Sequence, residues 1–246
     1  MIGADTIMMA ALFFAVAALY SSVGHAGASG YLAAMAMFSV APEVMKPTAL
    51  VLNIVVASVA AVKFYRAGLF DWKAFWPFAV TSVPAAFAGG AVTLPAEQYR
   101  VVVGVVLLFA AGWMFWSARR RADGTTTRPP LAAALLWGLG LGFISGLTGV
   151  GGGIFLSPLL LVMRWSTVRT TSAVAAVFIL VNSIAGLLGH AAGITNLHPG
   201  VGVWALAVLA GGWLGSRYGS GRLPAPVLRQ LLSLVLLIAA VKLMAS

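Results

Sequence analysis

The sequence predicts an all-α polytopic membrane protein of two inverted repeats, with eight to ten transmembrane segments and helices that break or re-enter at glycine-rich motifs. Three observations carry that reading. Of 246 residues, 61% are hydrophobic and 8% charged, with a mean hydropathy of +1.02, whereas soluble domains carry about 25% charged residues. No charge occurs from Thr6 to Pro42, from Pro129 to Met163 or from Thr170 to Ser216, and about 20 apolar residues suffice to span a bilayer. A glycine break, Gly24-His25-Ala26-Gly27-Ala28-Ser29-Gly30, returns past the midpoint as Gly149-Val150-Gly151-Gly152-Gly153. Barrel strands would alternate polar and apolar residues, which these runs do not, so the spanning elements are helices.

The duplication extends beyond the glycines. Adding 125 carries Gly24, Gly27 and Gly68 onto Gly149, Gly152 and Gly193; adding 123 carries Lys46 and Thr48 onto Arg169 and Thr171. Adding 129 carries Leu94-Pro95 onto Leu223-Pro224, Arg100 onto Arg229 and Val106-Leu107-Leu108 onto Val235-Leu236-Leu237. Ordered offsets within a few residues of one another describe a duplication with small insertions.

Hydrophobic runs between charges and turn residues give about ten segments, at 7–23, 28–41, 47–64, 74–93, 101–117, 131–148, 154–163, 171–189, 200–216 and 228–244. The first is too long for a cleaved signal peptide, and Asp5 stands where a basic n-region belongs. The second and seventh are too short to span, so each is expected to form a hairpin with its predecessor that turns in mid-membrane at the glycine break. Residues 118–130 hold Asp-Gly, three threonines and Pro-Pro, which marks a linker. The expected division is therefore a first repeat over 1–118, a basic linker over 119–130 and a second repeat over 131–246.

The net charge of +10 does not describe a nucleic-acid face, because the basic residues are scattered over short loops. Arg119, Arg120, Arg121 and Arg128 crowd the linker and place it in the cytoplasm by the positive-inside rule. Five crossings per half then invert the second half relative to the first. Eight tryptophans fall mostly near segment ends, as an interfacial belt requires. The absence of cysteine excludes disulfides, thiolate metal sites and cysteine nucleophiles. No catalytic residue, metal site or cofactor is expected, and nothing in the sequence specifies an oligomeric state.

A lone glycine pair in a membrane helix means close packing. Gly151, Gly152 and Gly153, with Gly149 before them and Pro158 after, are harder to keep helical, since each glycine costs about 1 kcal/mol relative to alanine. A broken helix exposes backbone N–H groups whose dipole attracts anions, and one break per repeat can present two such ends to a midplane site. All five acids, Asp5, Glu43, Asp71, Glu97 and Asp123, fall in loops or at segment ends. A cation carrier places a carboxylate in mid-membrane, so the pattern points to a neutral or anionic substrate. Expected substrate contacts are Gly24, His25, Gly27, Ser29, Thr48, Asn53, Thr148, Gly149, Gly151, Gly152, Gly153, Thr171, Ser172 and Asn182; Ser58 and Ser183 are further polar residues near the breaks. The alternative for each hydroxyl or amide is a helix-to-helix hydrogen bond. His25, an intramembrane imidazole, is the expected proton-coupling group, while His190 and His198 read as interfacial. Lys46 and Arg169 can steer an anion or simply anchor helix ends.

Gly149-Val150-Gly151-Gly152-Gly153 followed by Pro158, Thr171-Ser172, the stretch Val181-Asn182-Ser183-Ile184-Ala185-Gly186, and Lys46-Pro47-Thr48-Ala49-Leu50-Val51-Leu52-Asn53 together resemble the sulfite exporter TauE/SafE family. The resemblance covers nearly the whole chain and is best in the second half; in the first, Ala26, Ala28 and Ser29 replace part of the glycine run and His25 interrupts it. It implies a multi-pass protein of a prokaryotic inner membrane that moves sulfite, an organosulfonate or another small sulfur-containing anion. The expected partners are membrane lipid, the small anionic substrate and, through His25, protons, with no nucleic acid.

Three other readings compete with a secondary carrier working by alternating access. One is an anion channel. Another is an intramembrane serine protease using Gly27-Ala28-Ser29-Gly30, which would need a base beside Ser29. The third is a membrane scaffold without transport. Neither the anion nor the direction of transport is encoded legibly, because alternating access is reversible.

Overall fold

The structure is a computed structural model that describes residues 4–22, 27–117, 126–218 and 225–245. Among these residues there are ten α-helices, a 3-10 helix and no strand. The helices are α1 (Ala4–Ser22), α2 (Ala28–Met37), α3 (Pro42–Arg66), α4 (Trp72–Ala91), α5 (Ala96–Ser117), α6 (Leu131–Thr148), α7 (Gly153–Val162), α8 (Val168–Gly189), α9 (Val201–Tyr218) and α10 (Ala225–Ala245); the 3-10 helix, Ala191–Asn196, joins α8 to α9. Helices α3, α5, α6 and α8 contain stretches long and apolar enough to cross a membrane, and large apolar side chains such as Leu136, Leu206 and Val241 remain exposed as a lipid-facing surface does. The chain is an all-helical, polytopic membrane protein.

Several helices begin before the hydrophobic run that announces them. Helix α3 starts at Pro42, which suits the first helical turn because it has no N–H to leave unpaired, and it continues through Pro47. Acids accompany four of the early starts. Asp5, Glu43 and Glu97 sit in the first turns of α1, α3 and α5, and the Asp71 carboxylate accepts from the N–H groups of Lys73 and Ala74 as the N-cap of α4. Each negative charge meets the positive end of a helix dipole. Asp123 lies outside the described residues.

The closest helix approaches join the two halves. Gly138, Gly142 and Gly146 of α6 lie on the backbone of α4, where an added Cβ would come within 2.4, 2.2 and 1.9 Å of the carbonyl oxygens of Phe78, Ser82 and Ala86. Gly211 and Gly215 of α9 lie on α1 in the same manner, 2.3 and 2.1 Å from the carbonyls of Phe14 and Ala18. The first helix of each half thus packs on the fourth helix of the other, while α3 packs on α8 and α5 on α10.

Contacts between helix ends sort the turns onto two faces. On the linker side, the Thr127 N–H donates to the Arg164 carbonyl at 2.8 Å and Lys63 Nζ to the Ser216 carbonyl at 2.7 Å. On the opposite side, Trp204 Nε1 donates to the Thr6 carbonyl at 3.0 Å and Lys242 Nζ to the Met37 carbonyl. Helix α7 therefore ends on the face from which α6 starts. At ten residues each, α2 and α7 are about 15 Å long, half the roughly 30 Å hydrocarbon thickness. They are half-helices, as their short hydrophobic runs require.

Candidate functional site

The second glycine break is built by three residues in the left-handed region, Gly149 (φ 85°), Gly151 (φ 80°) and Gly152 (φ 73°). Gly149 closes α6, its N–H donating to the Ser145 carbonyl at 2.9 Å. Gly152 is the N-cap of α7 and brings no capping side chain. The first-turn amides at Gly153 and Ile154 have no acceptor within the helix, as at any helix start, so α7 opens with donors and a positive dipole end.

Side chains from three other helices converge on this turn. Asn53 of α3 donates through Nδ2 to the Gly149 carbonyl at 3.1 Å, and Tyr99 of α5 donates through its hydroxyl to the Thr148 carbonyl at 2.8 Å. A Cβ on Gly151 would meet Ile179 Cγ2 at 3.0 Å, Asn53 Nδ2 at 3.2 Å and Ser183 Oγ at 3.3 Å; one on Gly152 would meet the Phe178 ring at 2.9 Å and Ser145 Cβ at 3.4 Å. Asn53, Ser145 and Ser183 are fully buried, yet Asn53 Oδ1, Ser145 Oγ and Ser183 Oγ have no hydrogen-bond partner. Leaving a buried polar group unmade costs about 1–3 kcal/mol; three such groups surround this turn, and Ser21, Ser82, Trp113, Ser157, Thr171 and Asn182 carry others.

Other expected contacts fall at graded distances from the turn. Thr148 returns its hydroxyl to the Ile144 carbonyl at 2.7 Å and so supports the end of α6. Asn182 is buried with Nδ2 on the Phe178 carbonyl at 2.8 Å, its Oδ1 unpartnered. Thr48 is buried and its hydroxyl lies 3.5 Å from the His198 N–H on the face opposite the linker. Thr171 and Ser172 stand at the linker end of α8, about 16 Å along the helix from Asn182 by its rise of about 1.5 Å per residue. Thr171 is buried with an unpartnered hydroxyl, whereas Ser172 bonds the Val168 carbonyl at 3.1 Å. Ser58 likewise returns to the Ile54 carbonyl at 2.6 Å.

The first break is arranged differently. Gly27 (φ 90°) is the N-cap of α2, and an added Cβ there would meet the Tyr31 hydroxyl at 2.9 Å. Ser29 is buried and shares a 2.9 Å hydrogen bond with the Tyr20 hydroxyl. Gly24 and His25 lie outside the described residues. Helix α2 packs on α1, α3 and α10, and α7 on α5 and α8.

Ser145, Tyr99 and Lys46 belong to the second break and were not among the residues singled out from sequence as substrate contacts. Ser145 had a signal, standing one turn before Gly149. Tyr99 had none, because it reaches the break only through the packing of α5. Lys46, expected to steer or anchor, is 4% exposed. Its backbone carbonyl would be 3.1 Å from a Cβ on Gly149, and its ammonium donates to the carbonyls of Gly90 and Val92 at 2.8 and 3.1 Å and to that of Gly89 at 3.4 Å. His198, outside the helices, stacks on Trp204 with centroids 4.1 Å apart, and burial lowers its pKa from the usual 6.5. Among the described residues no group of three or more His, Asp or Glu side chains can hold a metal.

The sequence profile of the family described as "Sulfite exporter TauE/SafE" matches residues 9–243. The chain is 42% identical over 243 residues to a curated protein of Sinorhizobium fredii (strain NBRC 101917 / NGR234) described as "Probable membrane transporter protein y4hK", covering 98% of each. No solved structure matches the chain.

Proposed function

We propose, for a chain that belongs to the sulfite exporter TauE/SafE family of membrane transporters, that it is a secondary carrier of a small sulfur-containing oxyanion such as sulfite or an organosulfonate. The observation that carries this is the second glycine break, where α7 begins with uncapped amides and buried, unpartnered groups of Asn53, Ser145 and Ser183 surround it. The four described acids all sit at helix N-termini, so no carboxylate competes with an anion there. Amides and hydroxyls take the oxyanion's charge; Ile179 and Phe178 exclude water from it.

The two halves, 1–118 and 131–246, act in this reading as inverted repeats joined by the linker over 119–130. The reciprocal packing of α1 on α9 and of α6 on α4 supports the symmetry. Arg66, Arg128, Arg164 and Arg169 gather at the linker face, which the positive-inside rule makes cytoplasmic, in the inner membrane of a prokaryote. Alternating access then consists of the two α4–α6 and α1–α9 units rocking about α3 and α8. Proton coupling is assigned to His25.

Counterflow of labelled sulfite in proteoliposomes tests the carrier against a channel. Trans-stimulation by internal sulfite is the expected result; high flux without it would favour a channel. A thermal-shift series with sulfite, thiosulfate, short sulfonates and carboxylates assigns the anion, and no stabilisation by any of them would sink the substrate reading. His25→Phe is expected to abolish the pH dependence of flux; transport with its pH dependence intact would remove His25 from the mechanism.

A further inference from the structure

We infer that the crevice above the second break, between the first turn of α3, the α4–α5 turn and the end of α8, is a second binding site for a small oxyanion. It would be an outer station through which the substrate reaches or leaves the glycine turn. The inference rests on the anion-carrier reading and adds a location and residues to it. The crevice has a volume of about 190 Å3 and is lined by Glu43, Lys46, Thr93, Tyr99, His190 and Asn196 among others. It lies on the face opposite the linker, with the α4–α5 turn and the 3-10 helix at its mouth.

Charge selects the ligand class. Lys46 is an almost fully buried ammonium at the floor, and its partners are the three carbonyls that end α4. Neutral carbonyls leave the charge uncompensated, and a buried charge without a counter-ion is costly. The contact to Gly89 at 3.4 Å is long, so one N–H can turn toward the crevice at little loss. His190, the C-cap of α8, bonds the backbone of Gly90 beside Lys46. Thr93 and Asn196 bring neutral donors at the rim. Glu43 is the one carboxylate among the lining residues, and it is exposed at the mouth, where water screens it far more than protein screens Lys46.

The crevice is joined to the break by two residues that line it. The Lys46 backbone packs on Gly149, and the Tyr99 hydroxyl holds the Thr148 carbonyl. Floor of one site and roof of the other are the same two residues.

The test is sulfite titration of the full-length protein in nanodiscs at pH 7.5, followed calorimetrically and paired with counterflow. Thr93, Glu43 and Ala96 are exposed, so substitutions there spare the fold. Thr93→Asp is expected to weaken sulfite binding about tenfold, and Thr93→Lys and Glu43→Gln to tighten it about threefold, the sense that a like or opposite charge at the rim dictates. Ala96→Phe, which fills the crevice without changing charge, is expected to weaken binding about tenfold. Sulfite affinity within about twofold of the wild type in all four overturns the outer station. If that happens while wild-type counterflow persists, the carrier reading stands without the station; if the wild type binds no sulfite, both fall.

Discussion

Gly151→Ala separates the glycine turn's geometry from ordinary helix packing. Gly151 has φ 80°, and an L-residue in the left-handed region costs about 1–2 kcal/mol. The new methyl would stand 3.0 Å from Ile179 Cγ2, 3.2 Å from Asn53 Nδ2 and 3.3 Å from Ser183 Oγ, an overpacking of about 1–3 kcal/mol. The sum, about 2–5 kcal/mol, lowers Tm by roughly 4–20 °C at the sensitivity of a chain of this size. Gly140→Ala is the control, since nothing lies within 4 Å of its added Cβ, and a helical glycine-to-alanine change gains about 0.5–1 kcal/mol. Gly146→Ala is the opposite control: its Cβ would lie 1.9 Å from the Ala86 carbonyl, which pushes α4 off α6 and should prevent folding. The assay is a thermal melt in detergent with and without sulfite, and counterflow for whatever folds. Gly151→Ala should fold, melt early and lose the stabilisation by sulfite, because its methyl occupies the space between Asn53 and Ser183. A variant that melts with Gly140→Ala and retains sulfite protection would refute the assignment of the turn as the binding element.

Three further outcomes follow from the same contacts. Asn53→Leu leaves the buried Gly149 carbonyl without its donor, at about 1–3 kcal/mol, and should abolish sulfite-dependent stabilisation while the protein still folds, as read by melts and size exclusion. Tyr20→Phe strands the Ser29 hydroxyl at a similar cost, yet should leave sulfite counterflow nearly unchanged because that bond lies at the first break; loss of flux in a folded Tyr20→Phe protein would contradict the asymmetry. Burial, and secondarily the Lys46 charge, lower the His190 pKa from 6.5, so the unfolded chain takes up this proton first. Stability from His190 is full above about pH 6.5 and is lost as pH falls through that value; melts between pH 8 and 5 should show the loss, His190→Gln should flatten it, and sulfite, which favours the charged imidazole, should reduce it.

The helices were legible because charge-free runs in a membrane chain leave little choice, and α2 and α7 announced themselves by length. Helix starts were legible only in part. Hydrophobicity stops at Lys46, Arg100 and Arg169, but a helix can carry charges in its end turns; α3 and α5 have acids at their starts to offset this, and α8 has the Thr167 cap instead. The second break was legible as a backbone feature. Three glycines in succession cannot continue a helix cheaply, and the chain turns there, whereas α7 runs on through Pro158. The polar shell was less so, because periodicity alone does not reveal which face of a buried helix meets another half of the molecule. Thr171 and Ser172 are neighbours, yet one is buried and the other partly exposed at the linker end of α8, whereas Ser183, one residue beyond Asn182, touches the turn. Tyr99 and Lys46 arrive from elements whose approach is set by the glycine contacts between halves, information distributed over 100 residues and more.

The two breaks are related in sequence, but the described side chains beside them are satisfied differently, and the difference bears on binding. At the first, the Tyr20 hydroxyl satisfies Ser29 and the Tyr31 ring fills the space beside Gly27. Bulk and hydrogen bonds that a ligand would otherwise supply come from the protein itself. At the second, the corresponding space is edged by amide and hydroxyl groups left without partners. In the anion-carrier reading, the Tyr20–Ser29 bond and the Tyr31 contact persist whether or not an anion is present, while the unpartnered groups of Asn53, Ser145 and Ser183 gain most when an anion arrives. Removing one unpartnered group without adding bulk should therefore weaken binding at little cost in stability. Ser183→Ala, which deletes a fully buried hydroxyl that has no partner, is expected to raise Tm in the absence of sulfite, or leave it within about 4 °C, while weakening sulfite binding. Wild-type sulfite affinity in that variant would show that the unpartnered groups are not where the anion sits.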